Sequence, residues 1–301
     1  MSDPAPGGAP ADPIRDWPTD LHVHIQPWEM MRPEARRVIQ EGRADGALIK
    51  ACMADPNALL AWLDRERLGR VALINYVAPA VMGFTAEVNA WAARYRNACG
   101  GRVIAFGGVH PPACADVEGE MSYLLDELEL DGIKIHPPHQ ELAPDAYRTG
   151  ACPALRDVYE ACSERGVPVM FHTGTSIFPG ARSRLGDAMA LDDVAVDFPK
   201  LKIILAHAGR PLWTDEAFFL VRRHPEAWLD LSGIPPKSLL AALPRLEEIS
   251  DRCLWGTDWP SPGVKSARAN LDAFLALPIS DAAKTRITRD NALRLFPPRA
   301  R

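Results

Sequence analysis

No stretch of this chain concentrates Lys and Arg, and the net charge is −5 with a pI near 5.9. That argues against nucleic acid or an anionic membrane surface as the main partner. No apolar run reaches the roughly 18 residues that a membrane span needs. The opening MSDPAPGGAPADP has neither a basic start nor an apolar centre, so it does not read as a secretory signal. It reads as a disordered tail over residues 1–15. The six cysteines (Cys52, Cys99, Cys114, Cys152, Cys162 and Cys253) form no CxxC pair, in a chain too large to need disulfide staples. Reduced thiols in a cytoplasmic protein are the simpler reading. A Gly-rich loop after the first apolar run is also missing, because HIQPWEM stands there. This counts against a doubly wound open sheet.

What is present is a repeating pattern. With 301 residues, 47% of them hydrophobic, the chain can bury a large core. Eight short β-rich runs recur: 19–25, 70–77, 102–110, 131–136, 167–174, 201–209, 227–233 and 252–259. Several are nearly continuous in Val, Ile and Leu, as parallel strands covered on both faces tend to be. Between them lie helical candidates such as DPNALLAWLDRERLG, TAEVNAWAARYRNAC and CPALRDVYEACSERG. Several open on Asp or Thr and close on Gly. Eight βα units at this length predict an α/β fold of the (β/α)8 barrel type, a TIM barrel with insertions at its mouth, as one domain over 16–301. Residues 25–55 and 137–153 read as mouth loops, and 281–296 as a last helix on the barrel's outside.

Barrel chemistry sits at the C-terminal ends of the strands. In DLHVHIQP, residues i and i+2 of an extended segment point to one side, so His22 and His24 present two imidazoles to one point. The other strand ends carry Lys134 and His136, His172, His207 and Asp258. A lone histidine at a strand end is ordinarily a packing residue. His22, His24, His172 and His207 with Asp258 on one rim, from positions over 230 residues apart, point instead to a metal site.

The order HxH, His, His, Asp resembles the amidohydrolase superfamily, and more narrowly its amidohydrolase-2 branch. GIKIHPPHQ, LAHAGRPLW, GTDWPSP and DNALRLF fit as well, over about residues 19–296. The resemblance implies a divalent metal held by His22, His24, His172 and Asp258, with Zn²⁺ first and Mn²⁺ as the alternative. It further implies Asp258 as proton shuttle and His207 as acid/base or polariser. Lys134 would bridge two metals if carboxylated. With one ion, the favoured count, it serves the substrate, and His136 and Arg210 are further candidates for bridging or binding. The implied reaction is attack of metal-activated water on an amide, lactone or ester of a small carboxylated substrate. Non-oxidative decarboxylation of an aromatic or enol-type acid is the alternative, and a silent binding barrel a remote third. Relatives of this kind form dimers or tetramers, so a homo-oligomer is expected. Arg182 and Arg184 could clamp a carboxylate. Trp28, Trp213 and Trp259 lie near the mouth, and His110 ends the third run. Asp20 and Asp230 read as orienting or capping residues, and His139 and His224 as loop and helix-end residues.

Overall fold

Each of the eight apolar runs forms a strand in the computed structural model, which describes residues 12–299. The strands are β1 (Thr19–Val23), β2 (Arg70–Leu73), β3 (Val103–Gly107), β4 (Gly132–Ile135), β5 (Val169–His172), β6 (Ile203–Ala206), β7 (Ala227–Asp230) and β8 (Cys253–Leu254). They pair in parallel in sequence order. The barrel closes where the chain beyond β8 meets β1. Leu21 N donates to Trp255 O (3.0 Å), Asp258 N to His22 O (2.8 Å) and His24 N to Trp259 O (2.7 Å). Every strand residue is buried, which is why the runs show little polar alternation.

Helices fill the crossovers with the expected capping. Asp55 caps helix Pro56–Glu66 through its side chain. Helix Leu155–Arg165 ends on Gly166 at φ 65, the left-handed position where a side chain is disfavoured. One apolar cluster lies between strands and helices. A smaller one gathers Leu21, Ile104, Phe106, Met170, Ile204 and Leu254 with Leu295 and Phe296, as a filled barrel interior requires.

Three expectations change. Residues 25–55 are not one loop: they hold helices Pro33–Gln40 and Gly46–Ala54, whose Ile39, Ile49 and Cys52 are buried. The last helix continues through a π turn at Arg286–Asp290. It joins the small cluster through Ala292 and Leu295 and binds the β8 region, with Asn291 Nδ2 donating to Ser250 O and Cys253 O at 2.8 Å. Most of the tail placed at 1–15 lies outside the described residues, but Pro13–Asp16 form a helical turn capped by Asp12.

Candidate metal centre and active site

His22 stands in β1 fully buried, and its Nδ1 lies 2.5 Å from Asp230 Oδ2 at the end of β7. Burial holds the imidazole neutral, with the charges of Lys134, His24 and Arg210 adding to the effect and that of Asp258 opposing it. Nδ1–H therefore donates to Asp230, and the Nε2 lone pair faces the barrel mouth. There it lies 3.2 Å from His24 Nε2 and 3.7 Å from Asp258 Oδ1. His24 Nε2 is 3.1 Å from the same oxygen. Burial alone would raise Asp258. The hydrogen bond from His24, with the fields of His22, His24 and Arg210, outweighs it and holds the carboxyl below the usual range. Arg210 Nη2 sits 3.4 Å from Asp258 Oδ2.

Asp230 organises a second imidazole. Its oxygens accept from Ser232 N and Ser232 Oγ, both at 2.9 Å. His207 Nδ1 donates to Ser232 O at 3.1 Å and lies 3.0 Å from Ser232 Oγ. One buried carboxylate thus fixes the tautomer of His22 directly and that of His207 through a serine, the arrangement that orients metal-site imidazoles. Asp20 does the same for the backbone, accepting from Thr257 N (2.9 Å), Thr257 Oγ1 (2.7 Å) and His22 N (3.2 Å). Asp258 and His207 hold φ of 67 and 68, a strained region for residues with a side chain.

The donor set fits a cation. Ligand atoms each about 2.1 Å from a shared ion lie about 3.0–3.5 Å apart at angles between octahedral and tetrahedral. Two sides of the His22, His24 and Asp258 triangle, 3.2 and 3.1 Å, meet that spacing, and the third, His22 Nε2 to Asp258 Oδ1, is slightly wider at 3.7 Å. His22, His207 and Asp230 also lie close together, but Asp230 Oδ2 is already engaged by His22 Nδ1 and Ser232 Oγ, and His207 Nδ1 by Ser232. His172 is beside the group rather than in it: its ring centroid is 4.8 Å from that of His207, and its Nε2 is 3.2 Å from Thr175 O.

Lys134 is buried in β4 with its Nζ unpartnered among the described residues. Burial pushes its amine down to about 7, against the pull of Asp230 and Asp258. His136 stacks between His172 (3.9 Å) and His139 (3.4 Å).

These residues line one cavity of about 580 Å³ at the barrel mouth. Six of the eight histidines face it, leaving out His110 and His224. Among the described residues its charged side chains are Lys134, Arg210, Lys237 and Lys265 against Asp258 alone, although the chain is acidic overall. Apolar wall comes from Ile39, Tyr76, Met82, Phe178 and Ile234. His139 was assigned to a loop by sequence, yet it is buried here between Tyr76 and Ser176. Arg182 and Arg184 do not line the cavity, and Arg182 pairs with Glu141. Trp259 is a packing residue, stacked on Trp62 at 4.6 Å with its Nε1 donating to Asp45. Trp28 and Trp213 also pack against the apolar core. His224 pairs with Asp192 at the end of helix Thr214–Arg223.

Comparison with known proteins bears on the fold and the family. The 2-pyrone-4,6-dicarboxylate hydrolase of Comamonas testosteroni is 30% identical over 158 residues, covering 40% of this chain and 52% of that protein. The chain thus aligns with about half the length of this curated relative. Among solved structures, an uncharacterised TIM-barrel protein from Bordetella bronchiseptica superposes with a TM-score of 0.73 at 20% identity, covering 92% of this chain and 97% of the other. A dihydroxybenzoic acid decarboxylase from Polaromonas sp. JS666 with bound manganese gives 0.67 at 18% identity, covering 93% and 96%. Likeness at that identity establishes the barrel, not the reaction. Residues 19–297 match the Amidohydrolase family model, and the chain belongs to that family, in its amidohydrolase-2 branch.

Proposed function

We propose that this enzyme is a metal-dependent hydrolase that opens a lactone, ester or amide bond of a small carboxylated substrate. The observation that carries the reading is Asp258, the one acidic side chain on the cavity wall among the described residues, set between His24 and Arg210. A carboxylate surrounded by hydrogen-bond donors is kept ionised, and so accepts a proton from attacking water and passes it to the leaving group. His22, His24 and Asp258 would hold the ion, and His172, whose Nε2 lies on Thr175 O, would join them only by turning away from that carbonyl. A bound divalent ion supplies Lewis acidity at this point. One ion is favoured, because Nε2 of His22, Nε2 of His24 and one Asp258 oxygen lie within 3.7 Å of one another, and His24 would give up its proton on binding the ion. Zn²⁺ is the first choice and Mn²⁺ the second.

The cations serve the substrate. Lys134 and Arg210 face the cavity, and an amine buried without an acceptor costs on the order of 1–3 kcal/mol until an anion joins it. A substrate carboxylate supplies that anion. His207, its Nδ1–H tied to Ser232, offers Nε2 to the reacting group. The curated relative supports hydrolysis, since its named substrate is a lactone bearing two carboxylates.

Decarboxylation is the second reading, favoured by the likeness to the dihydroxybenzoic acid decarboxylase. It requires delivery of a proton to a ring carbon, for which an ionised Asp258 is poorly suited. A panel of carboxylated lactones, esters, amides and hydroxybenzoates, followed for acid production and for CO2 release, separates the two. Hydrolysis predicts acid without CO2, with about one metal per chain. Asp258→Asn should lower kcat/KM by about 10²–10⁴; a variant at full rate rules out the shuttle.

A further inference from the structure

Beyond the metal centre, three residues from three different loops are joined by hydrogen bonds. Tyr76 Oη lies 3.0 Å from His139 Nδ1, and His139 Nε2 lies 2.8 Å from Ser176 Oγ. Tyr76 follows β2, His139 follows β4 and Ser176 follows β5. Tyr76 and His139 are buried, and Ser176 lines the cavity. The His139 ring cannot turn freely: His136 stacks on it at 3.4 Å, and Phe178 meets it edge-on at 5.2 Å.

The direction of these bonds follows from counting donors. The Tyr76 phenol has no second partner among the described residues. If His139 donated from Nδ1, the phenol proton would be buried with no acceptor, which is costly. Tyr76 therefore donates to Nδ1. A neutral imidazole then carries its one proton on Nε2 and donates to Ser176 Oγ. Phe178 N donates to the same oxygen at 3.4 Å. Ser183 pins the backbone, its Oγ accepting from Ser176 N (3.2 Å) and donating to Ser176 O (3.3 Å). Both lone pairs of Ser176 Oγ are thereby engaged, and its own proton is left without an acceptor among the described residues. Ser176 is oriented as a donor, and His139 is not placed to deprotonate it as a nucleophile.

We propose that Tyr76 and His139 position the Ser176 hydroxyl as a hydrogen-bond donor to a substrate carboxylate remote from the reacting bond, making Ser176 a specificity-determining residue. The choice of a carboxylate rests on the carboxylated-substrate reading above. Arg210 and Lys134 on the same wall take the nearer anionic group, and Ser176 distinguishes a dicarboxylate from a monocarboxylate.

The test is binding, independent of turnover. Affinities of isophthalate and benzoate for the Zn²⁺-loaded enzyme are measured by calorimetry for the wild type, Ser176→Ala, Ser176→Thr, Tyr76→Phe and the Ser176→Ala/Tyr76→Phe pair. The wild type should prefer isophthalate at least about tenfold, and Ser176→Ala should lose about 10–100-fold in isophthalate affinity with benzoate unchanged. Ser176→Thr should restore most of the loss, and the double variant should bind as Ser176→Ala does. In ¹⁵N NMR, His139 Nδ1 should give the signal of an unprotonated ring nitrogen, shifting toward the protonated value in Tyr76→Phe. A protonated Nδ1 in the wild type, no preference for isophthalate, or an unchanged preference in Ser176→Ala overturns the proposal. Failure of the hydrolase reading appears elsewhere, as absent turnover across the lactone, ester and amide panel.

Discussion

Replacing Asp230 by Asn removes one negative charge and one acceptor group from a side chain whose two oxygens both accept hydrogen bonds. Its Oδ2 accepts from His22 Nδ1 at 2.5 Å and from Ser232 Oγ at 2.9 Å, while Oδ1 accepts from Ser232 N at 2.9 Å. Whichever way the Asn amide turns, its NH2 faces a donor. If it faces His22, the proton on Nδ1 loses its acceptor and the imidazole is freed to take the wrong tautomer. A buried hydrogen bond to a charged acceptor is worth about 1.5–3 kcal/mol. At about 1.4 kcal/mol per factor of ten, metal affinity should fall about 10–100-fold, the range found when the partner of a metal-binding imidazole is removed. The assay is competition with a chromophoric chelator, with circular dichroism confirming the fold. A second consequence is separable. With the ion restored at saturation, kcat should remain depressed, because His207 is held through Ser232. Burial raises Asp230 to about 6, so protonation below that value imitates the substitution. Wild-type metal affinity should therefore fall more steeply than that of the variant as pH drops through 6. A folded Asp230→Asn variant whose metal affinity stays within twofold of wild type would refute this account of how the site is built.

Lys134 opposes folding. Between its ordinary value of 10.5 and about 7 the unfolded chain takes up a proton that the folded chain refuses. Stability thus falls as pH drops through that window, and the whole penalty is present below it. Lys134→Met should raise Tm of the metal-free protein, more at pH 6 than at pH 10, while weakening carboxylate binding; an unchanged Tm at both contradicts the unpartnered amine. Gly233 has φ +69, and a Cβ there would stand 2.5 Å from Arg210 Nε and Nη2. Gly233→Ala should displace the guanidinium from Asp258 and raise KM more than it lowers kcat. Unchanged kinetics would mean that Arg210 is not held by this contact. Thr257→Val removes the 2.7 Å bond to buried Asp20 and should cost about 1–3 kcal/mol in urea unfolding.

The barrel was legible because burial on both faces leaves a signature in each run: Val, Ile and Leu without alternation, bounded by helix caps. The rim histidines were legible for a related reason, since strand ends are where a barrel gathers its side chains. His22 and His24 met Asp258 across more than 230 residues because the chain beyond β8 hydrogen-bonds to β1. The helices at Pro33–Gln40 and Gly46–Ala54 were missed, read as part of a mouth loop. The relay through His139 was invisible for a deeper reason. Tyr76, His139 and Ser176 occupy three separate loops, and no spacing along the chain encodes a contact made only by how those loops fold over the mouth. His139 looked like a loop residue because it is one: Pro137–Gln140 make a single turn, capped by the Gln140 side chain accepting from His136 N at 2.9 Å. That same Gln140 donates to Val77 O and Val109 O, both at 2.9 Å, tying the turn to the chain beyond β2 and β3. A Gln140→Ala substitution should therefore loosen His139 without touching the metal ligands. It should weaken isophthalate binding while leaving metal affinity unchanged. Loss of both together would mean that the mouth and the metal centre form one cooperative unit, and that the ring ladder from His139 through His136 to His172 couples them.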